Sequence, residues 1–213
     1  MRLLHARTAL ELHELSHRDG PALLLLHALG GSSADWSEAP ARWPGRVYAL
    51  DFCGHGRSEW VRGGVYLPEL FAADADVALS HIGAAALAGA GIGAYVALLL
   101  AGSRRASVPA ALLLPGRGLF GGGAEPDFDR PLTALALADT PMPTGCDPLL
   151  RALEWDTRPP DYAAGLAAGA RRLLLLDDGT QRPPWWERAR REAAAESIGG
   201  DVRSALQQLA EGL

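Results

Sequence analysis

The sequence predicts an α/β fold with a mostly parallel central sheet covered by helices on both faces. Three observations carry this. Short, wholly apolar runs of strand length recur along the chain, as in ALLLLH at 22–27, ALLLP at 111–115 and RLLLLD at 172–177. Helix-length segments separate them, and strands that read as continuous apolar runs are those covered on both sides. The chain's 213 residues, 48% hydrophobic and 21% charged, suffice for one soluble domain with a substantial core.

In chain order, residues 8–17 (TALELHELSH) alternate loosely, as a half-buried strand does, and Asp19-Gly20 marks a turn before the run at 22–27. This reads as a hairpin feeding a central strand. A Gly/Ser loop (Gly30 to Ser33) follows, and then a helix-length segment with Trp36 and Trp43 that ends near Pro44-Gly45. Residues 46–51 (RVYALD) read as a strand, 69–82 as a helix, 84–88 as a strand, 92–104 as a helix and 110–114 as a strand. Residues 115–170 are rich in Gly and Pro and break this rhythm. They are expected to form a reduced cap or insertion within a single domain spanning 1–213, with short helices at 131–138 and 147–155. A strand at 171–177, a helix after Pro183-Pro184 and a terminal helix from Asp201 restore the alternation.

Composition excludes several function classes. The 20 basic residues, all Arg, are outnumbered by 25 acidic ones, and no basic stripe tracks a phosphate backbone, so nucleic acid is not an expected partner. The longest apolar runs fall well short of the roughly 20 residues that span a bilayer, and the first residues lack a signal-peptide core, so a cytoplasmic protein without a membrane span is expected. Cys53 and Cys146 are too few and too far apart to form a metal site and are expected as free thiols. No cofactor or metal is expected.

Three stretches, in order, resemble the α/β-hydrolase family of esterases, lipases and epoxide hydrolases. LLLLHALGGSSADW (23–36) resembles the oxyanion loop after the third strand, usually H-G-x-G. YALDFCGHGRSEW (48–60) resembles the D-x-x-G-H-G-x-S segment after the fourth, and LAGAGIGAYVAL (87–98) resembles the nucleophile elbow, L-x-G-x-S-x-G-G-x-x-A. The resemblance covers most of the chain and thins through the cap.

It also exposes what is missing. Gly89, Gly91 and Gly93 take the first, central and last elbow positions, and the central one should be the nucleophile. Glycine has no atom with which to form a covalent intermediate. In this family the order is nucleophile, acid, histidine, but all six histidines precede residue 91, at positions 5, 13, 17, 27, 55 and 81. Gly200, in Gly199-Gly200-Asp201, aligns with the histidine position. Asp177 or Asp178 aligns with the acid, with a turn role beside Gly179 as the alternative.

The resemblance implies that the backbone N–H donors of an oxyanion hole persist at Ile92 and at Ala28 or Leu29, with His27 orienting the loop and with Gly91 enlarging the space above the elbow. His27, His55 and Asp51 are expected to brace loops. Three readings stay open. One is a catalytically degenerate hydrolase homologue that binds a small carbonyl or carboxylate molecule, or a protein partner. Another is an enzyme of non-family mechanism that recruits Ser32, Ser33, Cys53, His27 or His55, or that uses a lyase- or cyclase-type cavity. The third is an assembly protein, such as a homodimer, anchored by Trp185-Trp186. Trp155 and Tyr162 are ambiguous between pocket lining and core.

Overall fold

The computed structural model describes residues 1–61, 65–119, 142–154 and 156–213. Eight strands form one sheet: β1 (Arg2–His5), β2 (Thr8–His17), β3 (Leu23–Leu26), β4 (Arg46–Asp51), β5 (Ala86–Ala90), β6 (Ala111–Leu114), β7 (Leu173–Leu176) and β8 (Ala195–Ile198). Their order across the sheet is β1-β2-β4-β3-β5-β6-β7-β8. The pairs β1/β2 and β2/β4 are antiparallel and the other pairs are parallel.

The apolar runs explain the layering. Side chains alternate across a strand, so Leu24, Leu26, Leu87, Leu113 and Leu175 enter one core, and Leu23, Leu25, Ala88, Leu112 and Leu174 enter the other. On the first face lie α1 (Pro68–Ile82), α2 (Ile92–Ser103), α3 (Pro160–Gly169) and α4 (Pro184–Ala189), which bury Phe71, Tyr95, Ala163 and Trp185. The second face is covered by α5 (Val202–Glu211), which contributes Leu206 and Leu209, and by two 3₁₀ turns (Ser33–Trp36 and Ala39–Ala41).

Four local expectations are corrected. The hairpin is β1/β2, and β2 pairs with β4 instead of β3. All four residues of β3 are buried, and β3 lies inside the sheet between β4 and β5, parallel to both. The helix expected around Trp36 and Trp43 is reduced to the two 3₁₀ turns, because Pro40 and Pro44 cannot donate the backbone bonds of a continuous helix. Strand β5 starts two residues later than its apolar run suggests and continues through Gly89 to Ala90. Residues 160–169, expected in the cap, form α3, which packs on α2 with Ala163 and Ala167 buried. The expected helix at 131–138 lies outside the described residues, whereas 147–155 contains a 3₁₀ segment at Pro148–Glu154. Strand β8 was not legible in AESI, where one of four residues is buried.

Candidate functional site

The turn from β5 into α2 is built by close approach. A Cβ on Gly89 would lie 2.7 Å from the nitrogen of Ala94, and one on Gly93 would lie 2.6 Å from the carbonyl oxygen of His27, so neither position admits a side chain. Between them Gly91 caps α2 at φ 55° and ψ −119°, a backbone region that L side chains rarely adopt. This is a sharp strand-to-helix turn of the kind a nucleophile elbow needs, and it carries no nucleophile.

The space above Gly91 is filled by the protein itself. Residues leaving β6 cross over the turn, because β6 pairs with β5 in parallel and ends at Leu114 beside Ala90. The N–H of Gly91 donates to the carbonyl of Leu114 at 3.1 Å. The carbonyl of Arg117 then accepts from the N–H of Ile92 at 3.0 Å and from that of Leu29 at 3.2 Å. A Cβ on Gly91 would meet that oxygen inside contact distance and would lie 2.6 Å from both the nitrogen of Arg117 and the carbonyl carbon of Gly116. The absent side chain therefore does not enlarge a pocket: a backbone carbonyl occupies the space.

This crossing segment is held from its far side. The Arg117 guanidinium donates through Nε to Glu154 at 2.7 Å, and the N–H of Leu119 donates to the carbonyl of Leu153 at 2.8 Å. Of the two loop residues considered as donors, Leu29 is the one whose N–H points at the shared oxygen. Ala28 contributes its carbonyl, which accepts from Gly31 N–H at 2.9 Å and from the His27 ring at 2.8 Å.

The histidines near the turn are committed to backbone. The Nδ1–H of His27 donates to Ala28, and its Nε2 accepts from the N–H of Phe52 at 3.1 Å. The Nδ1–H of His55 donates to Cys53 at 3.2 Å, and its Nε2 accepts from the N–H of Gly30 at 3.1 Å. Both rings are fully buried, 4.7 Å apart between centroids. Burial lowers the pKa of each, and that of His55 is brought down to about 3, with the neighbouring His27 adding to the effect. Both imidazoles are neutral, and both nitrogens of each are occupied by loop backbone.

Asp51 is the hub between the loops. Its carboxylate accepts from the N–H of Ser33 at 2.6 Å, from the N–H of Arg57 at 2.9 Å and from the His13 ring at 3.1 Å. Burial acts to raise its pKa, but these donors outweigh burial and hold it below the ordinary carboxylate value. The other groups considered for non-family chemistry are similarly placed. Ser32 caps the first 3₁₀ turn by accepting from the N–H of Ala34, within a reciprocal capping box with Asp35. Cys53 is buried, and burial together with the Asp74 carboxylate pushes its thiol upward, away from the reactive thiolate. Cys146 is also a free thiol raised by burial.

The residues expected at the acid and histidine positions lie in local turns. Asp177 accepts from the N–H of Gly179 at 2.9 Å. Asp178 accepts from both the N–H and the hydroxyl of Thr180 and pairs with Arg182 at 2.6 Å, and these contacts hold its carboxyl at about 2. Gly200, at φ 111°, immediately precedes Asp201, the N-cap of α5, whose carboxylate accepts from the N–H of Ser204 at 2.8 Å. Trp185 and Trp186 are buried. Trp185 packs edge-on against Tyr95 at 5.0 Å, and the Arg182 guanidinium lies over the ring of Trp186 at 5.3 Å. The pair that motivated an assembly role is thus core packing. Tyr162 is half exposed, and Trp155 lies outside the described residues.

An open cavity of about 380 Å³ lies on the second face of the sheet. It runs between the 3₁₀ turns and α5, with a floor of Ala90, Leu114 and Pro115. His27 and Ala28 reach it, whereas Leu29, Gly91 and Ile92 do not line it. Among the described residues no group of three His, Cys, Asp or Glu is placed to hold a metal, and no helix is long and apolar enough to cross a membrane.

Arg117 and its carbonyl had no sequence motif. The small flanks of Gly116 and Gly118 signal a close backbone approach, but what they approach follows only from the β5/β6 pairing.

Known structures share this architecture. The thioesterase domain from the curacin biosynthetic pathway matches with a TM-score of 0.75 and 17% identity, over 99% of this chain and 98% of that one. An α/β hydrolase from Sphaerobacter thermophilus matches at 0.68 and 18% identity, over 100% and 99%. The bottromycin epimerase BotH, in complex with bottromycin A2, matches at 0.67 and 19% identity, over 99% and 95%. No protein-family model and no curated protein sequence matches the chain.

Proposed function

We propose that this chain, which has the α/β-hydrolase fold, is a non-hydrolytic member of that architecture that binds a small carbonyl- or carboxylate-bearing molecule. One observation carries its non-hydrolytic part. The N–H groups of Ile92 and Leu29, the expected oxyanion donors, are spent on the chain's own Arg117 carbonyl, above a residue with no side chain. Loss of a nucleophile or histidine alone costs a serine hydrolase about a million-fold in turnover. Here both are replaced by glycine, and the donors that would sustain the residual activity are occupied.

The alternative of non-family hydrolytic chemistry has less support. Ser32, Ser33, Cys53, His27 and His55 are each engaged in loop bracing or burial. A second reading, cavity catalysis without a covalent intermediate, is favoured by the presence of an epimerase among proteins of the same architecture.

The test is a panel of p-nitrophenyl esters from acetate to octanoate, alongside a fluorophosphonate probe. Neither turnover above the buffer rate nor labelling is expected. Turnover that survives purification and scales with protein concentration would overturn the proposal.

A further inference from the structure

We propose that residues 115–118 form a strap that opens locally, with the Arg117–Glu154 ion pair as its latch, and that opening uncovers the N–H groups of Leu29 and Ile92. This goes beyond the non-hydrolytic reading, which holds whether or not the strap moves.

The two ends of the strap are fixed and its middle is not. Leu114, the last residue of β6, is buried in the second core. Leu119 is fully buried in the first core, and its N–H donates to the carbonyl of Leu153 at 2.8 Å. Between these anchors Pro115, Gly116, Arg117 and Gly118 place no side chain in either core, and the first three are partly exposed. Local stability follows buried apolar contact, so the middle is the weak span. Gly116, and Gly118 at φ 102°, leave the backbone on either side of Arg117 free to rotate. Pro115 borders the open cavity of about 380 Å³, which gives the start of the strap room beside it.

Polar contacts at Arg117 hold the middle shut. Its carbonyl accepts from the N–H groups of Ile92 and Leu29, and its guanidinium donates to Glu154 at 2.7 Å. Glu154 closes the 3₁₀ segment Pro148–Glu154, which is seated by buried Leu150 and Leu153, so the carboxylate is the fixed side of the latch. The two side chains are 30% and 17% exposed, which lets solvent screen the pair and keeps its contribution modest.

Opening breaks these contacts together and leaves Leu119 seated. The two N–H groups share one acceptor, so both lose it in the same event and both become available at once. A buried N–H without a partner is costly, so the closed strap dominates. The open one is a minor state of about 0.1–1%, within the range of populations that two-state conformers show.

Native-state hydrogen exchange of the full chain, followed by NMR from zero to sub-denaturing urea, tests this. The amides of Leu29 and Ile92 should share one protection, roughly a hundred- to thousand-fold over an unfolded chain and insensitive to low urea. Leu25 and Leu112, in central strands, should exchange at least about ten-fold more slowly, and Leu119 should stay with them. Glu154→Gln should speed Leu29 and Ile92 together by roughly two- to five-fold, the loss of one partly exposed ion pair, and leave Leu25, Leu112 and Leu119 unchanged. Arg117→Met should do the same, and the double variant should be no faster than the faster single one, because both remove one interaction. Exchange of Leu29 and Ile92 that tracks the strand amides in urea would make the strap a fixed part of the fold and overturn the proposal. Acceleration of Leu119 alongside them would replace a strap with unfolding of the whole segment. Additive effects in the double variant, or no change in Glu154→Gln, would remove the latch.

Discussion

Replacing Gly91 by alanine adds one methyl group, yet the surroundings of that methyl predict a large effect. Its Cβ would sit 2.6 Å from the nitrogen of Arg117 and from the carbonyl carbon of Gly116, whereas ordinary contact begins at 3.4 Å. Neither neighbour is a flexible side-chain end, so the 116–118 backbone must move. Holding a non-glycine residue at φ 55° and ψ −119° costs about 1–3 kcal/mol. Displacing the Arg117 carbonyl strands the N–H groups of Leu29 and Ile92, both in buried residues, at about 1–3 kcal/mol each. The total is about 3–9 kcal/mol, a large part of the ~5–15 kcal/mol that holds a typical domain folded. Urea unfolding followed by circular dichroism, with the slope compared between variants, measures the loss. Hydrogen exchange in the parent provides an independent check, since the amides of Leu29 and Ile92 should be strongly protected. Gly91→Ala within about 0.5 kcal/mol of the parent, or rapid exchange at both amides, would refute the self-occupied turn. For the same reason Gly91→Ser should destabilise the protein without creating an esterase.

The buried histidines predict an acid-sensitive fold. With folded pKa values below the ordinary 6.5, both His27 and His55 bind protons more readily when unfolded. Stability should therefore be fully present above pH 6.5 and fall as pH drops, by up to about 1.4 kcal/mol per unit for each ring, with the His55 contribution levelling near pH 3. Asp74, raised by burial, acts in the opposite sense above 3.8, so the net slope lies below the two-ring limit. Urea midpoints that stay flat between pH 7 and 5 would contradict this. Asp51→Ala should cost several kcal/mol, because it orphans the N–H groups of Ser33 and Arg57. Its effect should appear as increased exchange in both loops, and uniform loosening of the whole chain would argue against the hub. Trp185→Ala should cost about 3–5 kcal/mol as a core truncation, with the chain staying at the parent's oligomeric state in light scattering. A change of assembly without loss of stability would return that residue to an interface role.

Much of the fold was legible because its signals are local. Residues 46–51 form β4 at the expected bounds, α2 begins at Ile92 directly after the glycine that caps it, and Asp201 caps α5. Strand pairing was less legible, since β2 carries no mark that it will pair with β4 instead of β3. The 3₁₀ turns were not legible for a different reason: the segment around Trp36 and Trp43 has the length of a helix, and the burial of both tryptophans is met equally well by short turns.

By itself the sequence determined which side chains are absent, since a glycine at residue 91 and a chain without any histidine beyond residue 81 are facts of covalent composition that no folding can alter. Only the tertiary structure decided what fills the space above that glycine. The Arg117 carbonyl reaches the N–H groups of Leu29 and Ile92 because parallel pairing of β5 and β6 carries residues 115–118 across the turn. The cavity lies between the two short turns and α5, on the opposite face. Both depend on contacts between segments far apart in the chain, and local periodicity and capping do not encode such contacts.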